Sequence, residues 1–365
     1  MTYNATWMRS FLLRLVPILC LLAAGNARAQ EVAPETRYFY RGLGYGSDAS
    51  FHPVSEVING AFGIMQISSN WAPLNQVDFR QGLDITWRSI THPARTIEAY
   101  GTADFIHDNI IPDRVGWNNL QYVPNYCLHL VGGGARNRAF TEWYGAHNFP
   151  APWAWAFGTT IAHAFAVETV EHYAETNATV DPVADMLLFD PAGALLFSND
   201  HVARFFSHTL HMGIWSGQPA YNPSVNTFEN AGENYGLHYF FGEHRVGIFS
   251  YWGMSHLFGV TVRGGRAFDW SVGLGGAVDQ LHERDRGALF PSVKLDAGAF
   301  IHRNGSLLAS MQVSQSWSQP FRMTVYPGML RMGSLSPGLY TGLRGHDFIV
   351  GLSFSRVPVG LALSR

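Results

Sequence analysis

Lysine is nearly absent from this chain. Lys294 is the only one, and every other fixed cation is arginine. Charged residues make up only 14%, well below the usual quarter. The net charge is −3 and no basic cluster occurs, which excludes an electrostatic nucleic-acid binder. Cysteine is as scarce: Cys20 and Cys127 are the only two. Cys20 falls in a leader, so the mature chain has no internal disulfide to form. Cys127 reads as a small packed hydrophobe. After the leader no apolar run of 18 or more residues follows, so no transmembrane helix is expected. Any membrane span must then be a barrel, because only helices and closed barrels satisfy their backbone in lipid. Familiar catalytic spacings are missing too. The triplet Gly132-Gly133-Gly134 lacks the Gly-Lys-Ser/Thr of a phosphate loop. Neither the zincin His-Glu-x-x-His nor the di-iron Glu-x-x-His occurs where the acids cluster.

What the 365 residues do hold is apolar and aromatic: 47% hydrophobic, 14% aromatic, with 38 glycines. That balance suits a β-rich envelope protein and excludes global disorder. Arg9 and Arg14 open onto an apolar run over 15–24, and Ala27-Arg28-Ala29 supplies a small-x-small cleavage site. This is the layout of a secretory signal peptide over 1–29, with Gln30 first in the mature chain. The rival, lipidation at Cys20, lacks the small residues it needs before that cysteine.

Residues 30–117 read as mixed: short strands over 37–45 and 61–68, a turn over 87–93, and a helix over 96–110 stopped by Pro112. Residues 118–210 read as helical, with helices over 125–143 and 153–176 broken at Phe149-Pro150-Ala151-Pro152. The glycine triplet implies a kink or the close approach of another backbone, since glycine costs a helix about 1 kcal/mol per residue. From 232 to 365 the period falls from 3.6 to 2. Strands are expected over 235–241, 246–254, 257–263, 268–276, 292–300, 307–315 and 348–355, and an edge or loop over the proline-rich stretch 320–338. Phe348, Val350, Leu352 and Phe354 alternate with small or polar residues, the dyad of a barrel strand facing lipid. The expected fold is α+β: an antiparallel outer-membrane-type barrel of about 8–12 strands with an inserted helical segment.

On the 153–176 helix, Thr160, Glu168, Glu171 and Glu175 share about 80° of arc at 100° per residue. His163 and His172 flank them. No Lys or Arg shares the helix, so Arg136, Arg138 and Glu142 on the preceding helix are the expected partners. The bland reading is a solvated face with an inter-helix ion pair. The sharper one is a polar site built from His163, Glu168, Glu171, Arg138 and Glu142. His129, Glu142, His163, Glu168 and His172 are metal-ligating types, but their spacing matches no known site, and neither metal nor cofactor is expected.

The run Glu168-x-x-Glu171, Asp181-Pro182-x-x-Asp185, Asp190-Pro191-x-Gly193, with Trp87-Arg88-x-x-x-His92-Pro93, resembles Gram-negative envelope proteins that join a helical segment to a barrel-like half. Its acidic part is similar to VanZ-like membrane proteins. The resemblance covers about half the chain and implies an envelope location without an activity. His302-Arg303-Asn304-Gly305-Ser306 and Ser314-Gln315-Ser316-Trp317 resemble outer-membrane phospholipase A, which implies a His302 base and a Ser314 or Ser316 nucleophile. The spacing departs from that family, no matching Asn follows Trp317, and Asn304-Gly305 is also a strong two-residue hairpin signal. The expectation is an exported outer-membrane protein, periplasmic in the alternative. It contacts membrane lipid and no nucleic acid. Its role is structural, lipid-contacting or transport-associated; the alternative is a hydrolase of envelope lipid.

Overall fold

The computed structural model describes residues 37–111, 122–265, 268–283, 289–330 and 335–365. The signal peptide expected over 1–29 lies outside them. Thirteen strands form one sheet in the order β1-β4-β5-β6-β7-β8-β9-β10-β11-β12-β13-β2-β3. The strands are β1 Gly213–Ile214, β2 Ala220–Asn222, β3 Thr227–Glu229, β4 Asn234–Phe240, β5 Val246–Gly253, β6 Ser255–Arg263, β7 Asp269–Glu283, β8 Leu289–Arg303, β9 Ser306–Ser314, β10 Phe321–Val325, β11 Gly338–Arg344, β12 Asp347–Ser353 and β13 Gly360–Ser364. From β4 to β13 every neighbour is antiparallel; only the β13–β2 pair is parallel. The architecture is therefore α+β, as expected. The sheet has two ends, β1 and β3, and is not the closed barrel of the sequence reading.

It is nevertheless curled. β1 pairs with β4 through Gly213 and Ile214, and β2 pairs with β13 through Ala220 and Tyr221. Six peptide steps from Ile214 to Ala220 reach at most roughly 20 Å. Ten strands laid flat would hold β4 and β13 roughly 43 Å apart. The meander must bend round so that both its ends meet the one stretch 213–222. The β8–β9 turn is the two-residue Asn304-Gly305 hairpin expected from sequence, both residues having positive φ (50° and 74°).

The helices lie outside the bend. We number the longer ones α1 Pro53–Gly63, α2 Phe79–Thr91, α3 Gly134–Ala146, α4 Pro152–Glu171 and α5 Asp190–Ser198. Among the described residues, no helix is long and apolar enough to cross a membrane. A π-helical stretch, Asn125–Gly133, runs directly into α3. Ala135, Ala139 and Phe140 of α3 and Phe197 of α5 share one cluster with Tyr235 and Leu237 of β4 and Trp252 of β5. The residues alternating with these, Phe249 and Tyr251, turn inward instead, onto Trp215, Leu257, Phe300 and Leu307. The glycine triplet serves close approach: a Cβ on Gly134 would lie 2.6 Å from the Gly193 carbonyl, and one on Gly193 2.5 Å from that of Leu130.

Three expectations for the first half fail. Residues 37–45 form no strand because their donors go to side chains. The N–H groups of Tyr38, Phe39 and Tyr40 each donate to the Glu142 carboxylate at 2.8 Å, and those of Arg41 and Leu43 to Asp48. No ladder can form from groups already bonded. Residues 61–66 continue α1 into a 3₁₀ turn, leaving only an isolated bridge at Ile67. Residues 87–91 belong to α2, which ends at His92 before Pro93 opens another helix. The helix expected over 96–110 is broken at Gly101, and that over 153–176 stops at Glu171. The stretch 320–338 contributes a paired strand, β10.

Because one buried carboxylate accepts three backbone donors, Glu142→Ala should cost at least about 3 kcal/mol of stability. Guanidinium unfolding would measure it. A loss under about 1 kcal/mol would mean that these donors find other acceptors.

Candidate functional site

The helical layer has a charged interior. His129, in the π-helical stretch, stands between two carboxylates: Nε2 is 3.2 Å from Asp185 Oδ2 and Nδ1 3.3 Å from Asp190 Oδ1. His172, just past the end of α4, repeats the arrangement. Its Nε2 is 3.0 Å from Glu168 Oε2 and its Nδ1 3.0 Å from Glu175 Oε1. Arg136 of α3 is fully buried, ion-paired with Glu233 and donating to the Tyr235 hydroxyl at 3.2 Å. His163 Nε2 lies 3.2 Å from the same Glu233.

Local sequence explains how these groups reach the interior. Pro152 opens α4 after the left-handed Ala151, and the apolar helix then carries His163 and Glu168 one turn and a half apart on its buried side. Asp181-Pro182 starts a helix with proline in its first turn, and this helix runs on through the π-helical Asp185–Phe189 into Asp190-Pro191, so all three aspartates are buried on one continuous helical stretch.

Burial and like charge set the protonation. Burial, reinforced by Glu168 and Glu175 against the opposing charge of His172, pushes the Asp181 carboxyl up to about 7. Burial and then Glu168 push Glu171 up in the same direction. Asp185 is also held well above the carboxylate range, by burial first. Burial alone would lower His129, but Asp185 and Asp190 reverse this and carry it to about 10. Hydrogen bonds to Glu168 and Glu175 likewise overcome burial at His172 and hold it protonated. His163 goes the other way, held neutral by burial and by the nearby Arg136 and His129 charges. The network can therefore store protons: each imidazole lies between two acids, and protons are shared among these buried groups.

The expected five-residue site is divided. His163 joins Glu233 and Arg136; Glu168 joins His172; Glu171 is the last residue of α4 and takes part in neither pair. Arg138 and Glu142 form their own i,i+4 pair at 3.0 Å, with Asp200 as a further partner of Arg138, while Glu142 accepts from the 38–40 backbone. The expected arginine partners of the α4 acids are thus replaced by histidines. Glu175 lies beyond the helix and still reaches His172. Among the described residues, no three His, Cys, Asp or Glu side chains are placed to hold a metal ion.

The His302/Ser314 pair is not formed either. His302 stands opposite Leu307 on β9, seven residues and roughly 24 Å along the strand from Ser314. Ser316 donates to the Ala277 carbonyl. His302 instead meets Ser271 of β7, Nε2 to Oγ at 2.9 Å. Sequence reading missed Ser271, Glu233 and His238. Asp185 and Asp190 were seen only as part of a pattern. Two Asp-Pro pairs beside a helix with unpaired acids were the available signal.

Compared with protein-family models, curated proteins and solved structures, the chain matches none.

The raised Asp181 gives the network a pH signature. A carboxyl whose folded value lies above its unfolded 3.8 lends stability that is full below about pH 4 and lost as pH rises through about 7. Asp181→Asn should thus gain stability relative to wild type between pH 5 and pH 8, by at most about 3 kcal/mol. Thermal unfolding at the two pH values would measure it; a difference that stays flat or falls with pH would sink the assignment.

Proposed function

We propose that the chain is an exported, outer-membrane-type protein whose curled sheet is set in lipid, with the helical layer beside it, and that its role is structural, lipid-contacting or transport-associated. The observation that carries this reading is an apolar belt on the outside of the sheet. Val246 and Ile248 of β5, Phe258, Val260 and Val262 of β6, Val272 and Leu274 of β7, and Leu361 and Leu363 of β13 are each 38–67% exposed. Positions between them, such as Phe249, Leu257, Thr261, Ser271 and Ala362, are buried. A contiguous surface of this kind is a liability in water and a match for acyl chains. The interior holds Ser255, Thr261, Asp296, Gln312 and Arg322 among aromatic rings, the polar lumen of such a sheet.

A pore has less support, because Trp215, Phe249, Tyr251, Phe300 and Tyr326 pack together inside the sheet. The hydrolase alternative has less support as well. Its helical residues lie in separate ion pairs, and Ser271, although bonded to His302, is only 1% exposed.

Expressed with its leader in a Gram-negative host, the protein should fractionate with outer membranes and shift in gel mobility on boiling. Phe258→Glu combined with Leu274→Glu should abolish both, since a carboxylate on the lipid face opposes insertion. A soluble wild-type protein with no shift would overturn the proposal.

A further inference from the structure

A cavity of about 340 Å³ lies at one end of the sheet, between the Arg41 segment and the Asn304-Gly305 turn. That is the size of a small-ligand pocket. Three of its histidines share an arrangement. His238 Nδ1 is 3.0 Å from the His211 carbonyl, and His211 Nδ1 is 3.2 Å from the Thr209 carbonyl. A carbonyl only accepts, so both Nδ1 atoms carry the proton. His208 Nδ1 is 2.7 Å from Ser207 Oγ, whose own proton goes to the Ala203 carbonyl at 2.7 Å. Here too Nδ1 is the donor. In the neutral ring each Nε2 is left as a bare acceptor. On His238 that atom is buried and has no partner. Its ring is fixed by stacking on His302, with centroids 4.1 Å apart.

The rest of the lining matches. Asp269 adds a carboxylate, one oxygen of which accepts from the Gly264 N–H at 3.1 Å. Phe240 adds an apolar ring, backed by the Arg263 guanidinium 4.1 Å from its centroid. Arg41 adds a donor, already bonded in part to the Asn304 carbonyl. Acceptors thus outnumber donors. With the rings neutral, such a lining offers an anion few donors, and among the described residues no three ligating groups are placed for a metal ion. It suits a ligand with several O–H or N–H donors and one apolar face to lie against Phe240.

We propose that this cavity binds a sugar ring, a hexose or hexosamine, one of whose hydroxyl or amino groups donates to His238 Nε2. The ring could come from a free sugar or from a glycolipid headgroup, which share this chemistry. The site is independent of whether the sheet sits in lipid.

The test is titration of the purified full chain in detergent with glucose, galactose and glucosamine, read by saturation-transfer NMR. ¹⁵N-histidine spectra of the same samples report the His238 Nε2 resonance. Parallel titrations use inorganic phosphate and Zn²⁺, and a final arm uses a glycosyl-diacylglycerol in mixed micelles. The expected result is saturable binding of at least one sugar, or of the glycolipid alone if the headgroup is the source, with the His238 Nε2 signal moving. His238→Phe should weaken binding about tenfold or more, the scale of a buried acceptor lost. His238→Gln, which keeps an acceptor at similar reach, should retain most of it. Binding of neither free sugar nor glycolipid up to about 10 mM, binding of phosphate or Zn²⁺ instead, or an unmoved His238 resonance would each overturn the assignment. The resonance is read in the wild type, so the test survives a variant that fails to fold.

Discussion

Both ends of a ten-strand meander are hydrogen-bonded to one short stretch of chain, residues 213–222. Peptide length is the constraint. A stretch this short cannot reach across a flat sheet, so the sheet bends, and every alternate residue is then committed to an inside or an outside. Inside, Trp215 at the middle of the stretch stacks on Phe249 and lies 5.5 Å from the Phe300 ring. Outside, the same alternation leaves β-branched and aromatic side chains exposed. The packed inner face and the apolar outer face are two results of one short connection.

The helical layer solves a different problem. Its buried acids outnumber the cations near them, and an unpaired buried carboxylate is costly. The structure meets that cost in two ways. Each of the two imidazoles is shared between two acids, which reduces the number of cations needed. The remaining acids, Asp181 foremost, keep their protons. Close backbone packing makes the enclosure possible: where Gly134 meets Gly193, and Gly82 lies against the Thr169 carbonyl, any larger residue would hold the helices apart and admit water.

Sequence pattern located β4 to β9 and β12 because period 2 repeats over seven or more residues there; it placed no strand at β10, β11 or β13. It missed β1, β2 and β3 because two or three residues carry no period, yet these bend the sheet. It misread 37–45 because alternating apolar residues look like a strand even when acids distant in sequence take their N–H groups. On α4 it found the arc holding Glu168 and the flanking His163, since helical angle is a local property. It could not find their partners. Glu233 lies 70 residues after His163 and immediately before a strand. His302 shows the same limit: its serine was sought nearby in sequence, whereas antiparallel pairing brings in Ser271 from the strand before.

The two halves meet at the stretch that bends the sheet. Glu56 of α1 accepts from the Ser216 hydroxyl at 2.9 Å, and Asn59 donates to the Gly217 carbonyl at 2.8 Å. Glu233, one residue before β4, supplies the carboxylate for Arg136 and His163. Pulling the layers apart would therefore strand a fully buried guanidinium as well as break the bonds that hold 213–222 in place. A buried charge without its partner costs several kcal/mol. The helical layer is accordingly part of what keeps the sheet curled. Glu233 is where the two layers share one carboxylate, through Arg136 and His163.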